Sequence, residues 1–84
     1  MNTDVQFKRE DKPLTRADVE RLLLEAGSPD KLNLSGRNLK EVDLAGLDLS
    51  GANLHGAFNI TTEELETQAK SLKGAIMPDG TPHD

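Results

Sequence analysis

The chain has 84 residues and a mass of 9.1 kDa, with no Cys, Trp or Tyr and two Phe, which allows one small domain with little aromatic core. Its 35% hydrophobic and 30% charged residues sit at the polar edge of globular proteins, and no apolar run exceeds three residues, so no membrane-spanning helix is predicted. The net charge of −5 gathers in the last third, and no segment is basic, which argues against a protein that tracks nucleic-acid phosphates.

The polar start Met1-Asn2-Thr3-Asp4 lacks the apolar stretch of a secretory signal. Without Cys there are no disulfides or thiolate metal sites, and a cytoplasmic location is expected. Residues 1–13 are read as a mobile tail: Val5-Gln6-Phe7 could add a short strand, but Lys8-Arg9-Glu10-Asp11-Lys12-Pro13 is a solvated charge cluster. Residues 14–27 are predicted to form a helix. Thr15 is its N-cap, Asp18 lies near the first-turn amides, Leu14 and Val19 form a staple, and Gly27 ends it. Val19, Leu22, Leu23 and Ala26 share one face, leaving Leu24 off the stripe.

From Leu32 the chain repeats every five residues: Leu32-Asn33-Leu34-Ser35-Gly36, Arg37-Asn38-Leu39-Lys40-Glu41, Val42-Asp43-Leu44-Ala45-Gly46, Leu47-Asp48-Leu49-Ser50-Gly51 and Ala52-Asn53-Leu54-His55-Gly56. Asn or Asp always precedes the central Leu, and four blocks of five end in Gly. A five-residue period suits neither a continuous helix nor a continuous strand, because it rotates each repeat to a new face. It suits a three-residue extended piece followed by a corner. Alternate extended residues share a face, so Leu34, Leu39, Leu44, Leu49 and Leu54 point inward with Leu32, Val42, Leu47 and Ala52. If each corner bends the chain by about a right angle, four blocks close one square coil on which the next stacks.

These blocks resemble the pentapeptide-repeat family, whose motif is a small residue, Asp or Asn, Leu, and two variable positions. The resemblance covers residues 32–56 and implies a β-solenoid, here a very short right-handed quadrilateral β-helix of about 1.5–2 coils over residues 32–60, flanked by two capping α-helices. Three departures stand out. Arg37 is charged where a small inward residue belongs, Leu32 and Leu47 are larger than the usual Ala, and Phe58-Asn59 breaks the pattern.

Residues 61–73 are predicted as the second helix, with Thr61 and Glu64 in a capping box, Ile60 stapled to Leu65, and Gly74 as terminator. Residues 74–84 read as one degenerate block, Ala75 and Met77 inward, followed by a frayed end.

No residues are nominated as catalytic, cofactor-binding or metal-ligating. His55 falls at a corner and His83 in the tail, with no second ligand at a useful spacing. Ser35 and Ser50 occupy equivalent corners, where turn formation explains them, and the repeat likewise accounts for Asp43 and Asp48. The expected function is therefore a non-enzymatic protein–protein interaction or self-assembly module, working through outward faces and Leu24. Its partner is unidentified and a second copy is one candidate. No nucleic acid, membrane, cofactor or small-molecule substrate is expected. Two alternatives stand beside this reading. The resemblance also points to acidic members that mimic DNA and bind gyrase, although residues 32–60 are near neutral and two stacked coils would rise only about 10 Å. The other is a shortened solenoid with no independent function.

If the central leucines point inward, Leu44→Ala and Leu49→Ala should each cost ~2–5 kcal/mol. An unaltered denaturant midpoint for both variants would refute the inward stacking.

Overall fold

The computed structural model describes residues 12–84, so most of the expected N-terminal tail lies outside the described residues. Helix α1 spans Arg16–Ala26. Its start is fixed by a reciprocal box: Thr15 Oγ1 accepts from the Asp18 amide at 3.1 Å, and the Asp18 carboxylate accepts from the Thr15 amide at 3.0 Å. Its end is fixed by Gly27, whose φ of 88° aims its N–H back at the Leu23 carbonyl. Val19 is the fully buried residue of α1; Leu22 and Leu23 pack partly against the core, and Leu24 stands out in solvent. A 3₁₀ turn, Pro29–Lys31, then delivers the chain to Leu32.

From Leu34 onward one backbone event recurs. The amide three residues after each central Leu returns to that leucine's carbonyl: Arg37 to Leu34, Val42 to Leu39, Leu47 to Leu44, Ala52 to Leu49 and Ala57 to Leu54, at 3.0–3.2 Å. The third residue of each turn has positive φ, from 57° at Glu41 to 80° at Gly56, as a type II turn requires. Each turn redirects the chain, and Leu34, Leu39, Leu44, Leu49 and Leu54 all end with no exposed surface. Leu32, Val42 and Ala52 are buried beside them, whereas Leu47 is only partly so. Arg37, the charged misfit of the repeat, is half-buried.

Four such turns separate Asn33 from Asn53, and these two residues form a parallel bridge through Leu34 N–H to Asn53 O at 2.8 Å and Asn53 N–H to Leu32 O at 2.9 Å. Asn38 bridges Phe58 in the same way. The stack continues with Asp48 to Ser71 and Asn53 to Ile76, where the offset grows from twenty to twenty-three residues because helix α2, Thr62–Gln68, has been inserted into the second circuit. Leu65 of α2 is fully buried, supplying an inward side chain to that circuit.

The expected β-solenoid, a quadrilateral β-helix, must be corrected. Among the described residues there is no β-strand and no sheet; the regular elements are α1, α2 and the 3₁₀ turn, and all chain-to-chain pairings are isolated bridges. The reason is length. Each extended piece enters a turn after about three residues, so only one residue per side is bridged, and a ladder needs consecutive bridges.

The second helix is also shorter than the predicted 61–73. Thr61 and Glu64 do form a reciprocal capping box at 3.1 and 2.9 Å, but the chain leaves helical geometry at Ala69, with ψ 144°. Beyond it the backbone pairs with the first circuit: Lys70 N–H reaches Leu47 O at 2.8 Å, Leu49 N–H reaches Ser71 O, and Gly51 N–H reaches Lys73 O, both at 2.9 Å. Those bonds take groups that a longer helix would use internally. Gly74 is accordingly no helix terminator. With φ 76° it is the third residue of another turn, closed by Ala75 N–H on Leu72 O.

Ala75 and Met77 are buried, and the expected frayed end is instead folded back on them. Met77 N–H donates to Thr81 O, His83 N–H to Ala75 O and Gly74 N–H to His83 O, at 2.7–2.8 Å, with an antiparallel bridge between Ile76 and Pro82. Pro82 has no N–H, which makes this outermost segment a poor template for further pairing.

Gly51 carries two constraints at once. Its φ is 75°, and a Cβ there would lie 2.7 Å from Asp30 Cβ and 2.9 Å from Asp30 Cα, whereas a Cβ on Gly46, at φ 76°, would meet open space. Gly46→Ala should therefore cost no more than the ~1–2 kcal/mol of left-handed strain. Gly51→Ala should cost visibly more, because the Pro29–Lys31 turn must move. Equal shifts in urea midpoint for the two variants would show that the 3₁₀ turn does not seat on the coil.

Candidate interaction surfaces

The polar residues of the repeat are occupied by the turns themselves. Each Asn or Asp before a central Leu accepts from the amide two residues on: Asn33 from Ser35, Asn38 from Lys40, Asp43 from Ala45, Asp48 from Ser50 and Asn53 from His55, at 2.9–3.1 Å. Asp79 does the same with Thr81. The Ser35 and Ser50 hydroxyls donate to those same acceptors at 2.6 Å, so both serines act as turn formers. The Ser50 hydroxyl and then its amide hold the Asp48 carboxyl below its ordinary range, and Thr81 does the same for Asp79. Asp43 and Asp48 thus serve separate corners. Among the described residues no three His, Cys, Asp or Glu side chains gather as a metal site.

The two circuits end in groups that sequence reasoning did not single out. On the first circuit, Arg16 of α1 extends Nη1 to the Ala45 carbonyl at 2.9 Å and to the Asp43 carbonyl and carboxylate at 3.4 Å, while Leu14 N–H donates to Asn38 O. On the second, Gln68 closes the gap left by α2. Its side-chain Oε1 accepts from Leu44 N–H at 2.7 Å and its backbone carbonyl from Gly46 N–H at 2.9 Å, where a further extended segment would otherwise pair. Asn59, at φ 64°, donates from Nδ2 to Asn38 Oδ1 across the break in the repeat. Any signal for these contacts in the sequence lies in phase alone: Gln68 follows Leu65 by three residues at the end of a seven-residue helix.

What remains exposed lies mainly outside the coil. Leu24 is 82% exposed and stands at the rim of an open depression of about 490 Å³, lined also by Leu23, Gly27 and Pro29. Phe58 is 42% exposed where the repeat breaks. A second depression of about 330 Å³ has a mixed lining in which Arg21 and Arg37 face Asp18 and Glu25. Asp18 is already committed, its carboxyl held low by the Thr15 amide first and by Arg21 as a lesser partner. On α2, Glu63 and Glu64 form a small acidic strip. His55 lies against Gly80, and His83 sits between Glu66 and the Asp84 carbonyl. No described helix is long and apolar enough to cross a membrane.

Residues 31–58 match the family model of pentapeptide repeats (8 copies). That segment is 28 of the 84 residues, so a third of the chain is similar to pentapeptide repeats. No curated protein and no solved structure matches the chain.

Replacing Gln68 by Ala should strand the buried Leu44 amide, at about 1–3 kcal/mol. Hydrogen exchange should accelerate at Leu44 more than at Leu54, which pairs with Ile76 instead. Unchanged exchange at Leu44 would show that the side chain does not carry the circuit's closure.

Proposed function

We propose that the chain is a non-enzymatic cytoplasmic module that acts through protein contact, and that its contact face is the outer surface of α1 around Leu24. The observation that carries this is the placement of a leucine with 82% of its surface exposed at the edge of a mostly apolar depression lined by Leu23, Gly27 and Pro29 together with Glu20 and Ser28. A protruding side chain and a recess side by side on one face are self-complementary about a two-fold axis. A second copy is therefore the occupant: each copy's Leu24 enters the other's recess. The turn chemistry supports the non-enzymatic part, since the repeat's carboxylates and hydroxyls are bound to backbone amides and to each other.

The contact is weak on its own. Burying one leucine from each copy yields about 3–6 kcal/mol, and the cost of association offsets most or all of it, so the Kd is on the order of millimolar or weaker. Such a contact works where copies are held close together.

Light scattering from about 10 μM to about 2 mM tests it. The expected result is a mass that rises toward a dimer at the upper end and a Leu24→Ser variant that stays monomeric with an unchanged denaturant midpoint. A wild-type chain that is monomeric throughout, or a dimer indifferent to Leu24→Ser, overturns the assignment of this face.

A further inference from the structure

Segment 74–84 forms the last side of the coil and folds back on itself. Without the returning residues 79–84 the amides of Gly74 and Met77 and the carbonyl of Ala75 would lose their partners. Its side-chain link to the rest of the protein is His83, whose Nε2 lies 3.1 Å from Glu66 Oε2 on α2 and whose Nδ1 lies 2.9 Å from the Asp84 carbonyl. Both neighbours are acceptors. A neutral imidazole has one N–H and can serve only one of them, whereas the protonated ring donates to both. We propose that this hairpin is a pH-dependent cover, latched to α2 by protonated His83 and loosened when that imidazole gives up its proton.

The charged groups around the ring act in one direction. Glu66 faces it from α2 and Asp84 from its own segment, and the Asp84 carbonyl first, then Glu66, push its pKa above the ordinary 6.5. Because the folded value is the raised one, the latch is fully formed below about pH 6.5 and is lost as pH climbs through the raised value. At the other end of the same hairpin, the His55 ring lies against Gly80 and adds a small favourable charge to Asp79. Among the described residues no hydrogen bond joins the His55 ring to the hairpin, so it forms no latch of the kind His83 makes. Release would bare the backbone groups beside Ile76 and free Pro82, the residue that makes the closed edge a poor template. This inference does not depend on the α1 contact proposed above.

The test is NMR on the full chain between about pH 5 and 8, following the two imidazoles and the protection of the Gly74, Met77 and His83 amides, each corrected for intrinsic exchange. Protection at these amides is expected to fall several-fold along the His83 titration while Leu49 stays constant. Glu66→Gln should lower the His83 midpoint and shrink the step, His83→Gln should abolish it, and His55→Asn should leave it intact. Hairpin protection that ignores His83 titration, a step that survives Glu66→Gln in full, or a step that follows His55 instead overturns the proposal.

Discussion

Everything in this fold hangs on a turn of four residues in which an amide returns to the carbonyl of a buried leucine. The turn has to admit positive φ at its third residue, and the chain supplies Gly at four of the five repeat corners and Glu41 at the other. A side chain in that region is strained by about 1–2 kcal/mol. Glu41 holds it because its neighbours are fixed independently: Leu39 and Val42 are buried on either side, and the Lys40 amide is held by Asn38. A corner can therefore survive one unsuitable residue when the inward positions that flank it are satisfied.

Sharp turning has a cost in pairing. Sides of three residues cannot build a ladder, so the stack is joined by single bridges, and each circuit offers its neighbour only a few hydrogen bonds per side. A long array of circuits would spread its two exposed ends over many repeats. This chain cannot, and each end is treated by different chemistry. The guanidinium of Arg16 and the amide of Leu14 meet carbonyls of the first circuit. On the second circuit, the Gln68 side chain takes the Leu44 amide that an extended segment in place of α2 would have paired, and the hairpin closed by Thr81 and His83 takes groups that a third circuit would have used. The helices matter less as bulk covers than as carriers of these particular atoms.

That division explains what could be read in advance. The inward leucines were legible because a five-residue period excludes any element that keeps one face, and the capping boxes at Thr15 and Thr61 were legible because they are local. The extent of α2 was not. Its apparent stripe of Leu65, Ala69 and Leu72 continues at helical spacing, yet the stretch after Ala69 is claimed by bonds to Leu47, Leu49 and Gly51, residues twenty or more positions away. Gly74 was misread for the same cause, since a glycine suits a helix end and a coil corner equally well. The β-solenoid expectation failed on a count of residues per side, a quantity that the repeat does contain. Arg16, Gln68 and His83 were invisible because each acts on a partner that only the stacking brings near.

The same economy bears on where a partner could be met. Asn33, Asp43, Asp48 and Asn53, the side chains in the repeat best suited to chemistry, each accept from a backbone amide, and the hydroxyls of Ser35 and Ser50 reinforce two of them. Recruiting one to a ligand would open the corner it holds and expose the leucine behind it. Variation without loss of the fold is thus easiest on the outer face of α1, at Glu63 of α2 and at Phe58, where side chains hold no turn or cap. A short repeat of this kind spends its polar residues on shape and leaves recognition to the pieces inserted between and before the repeats.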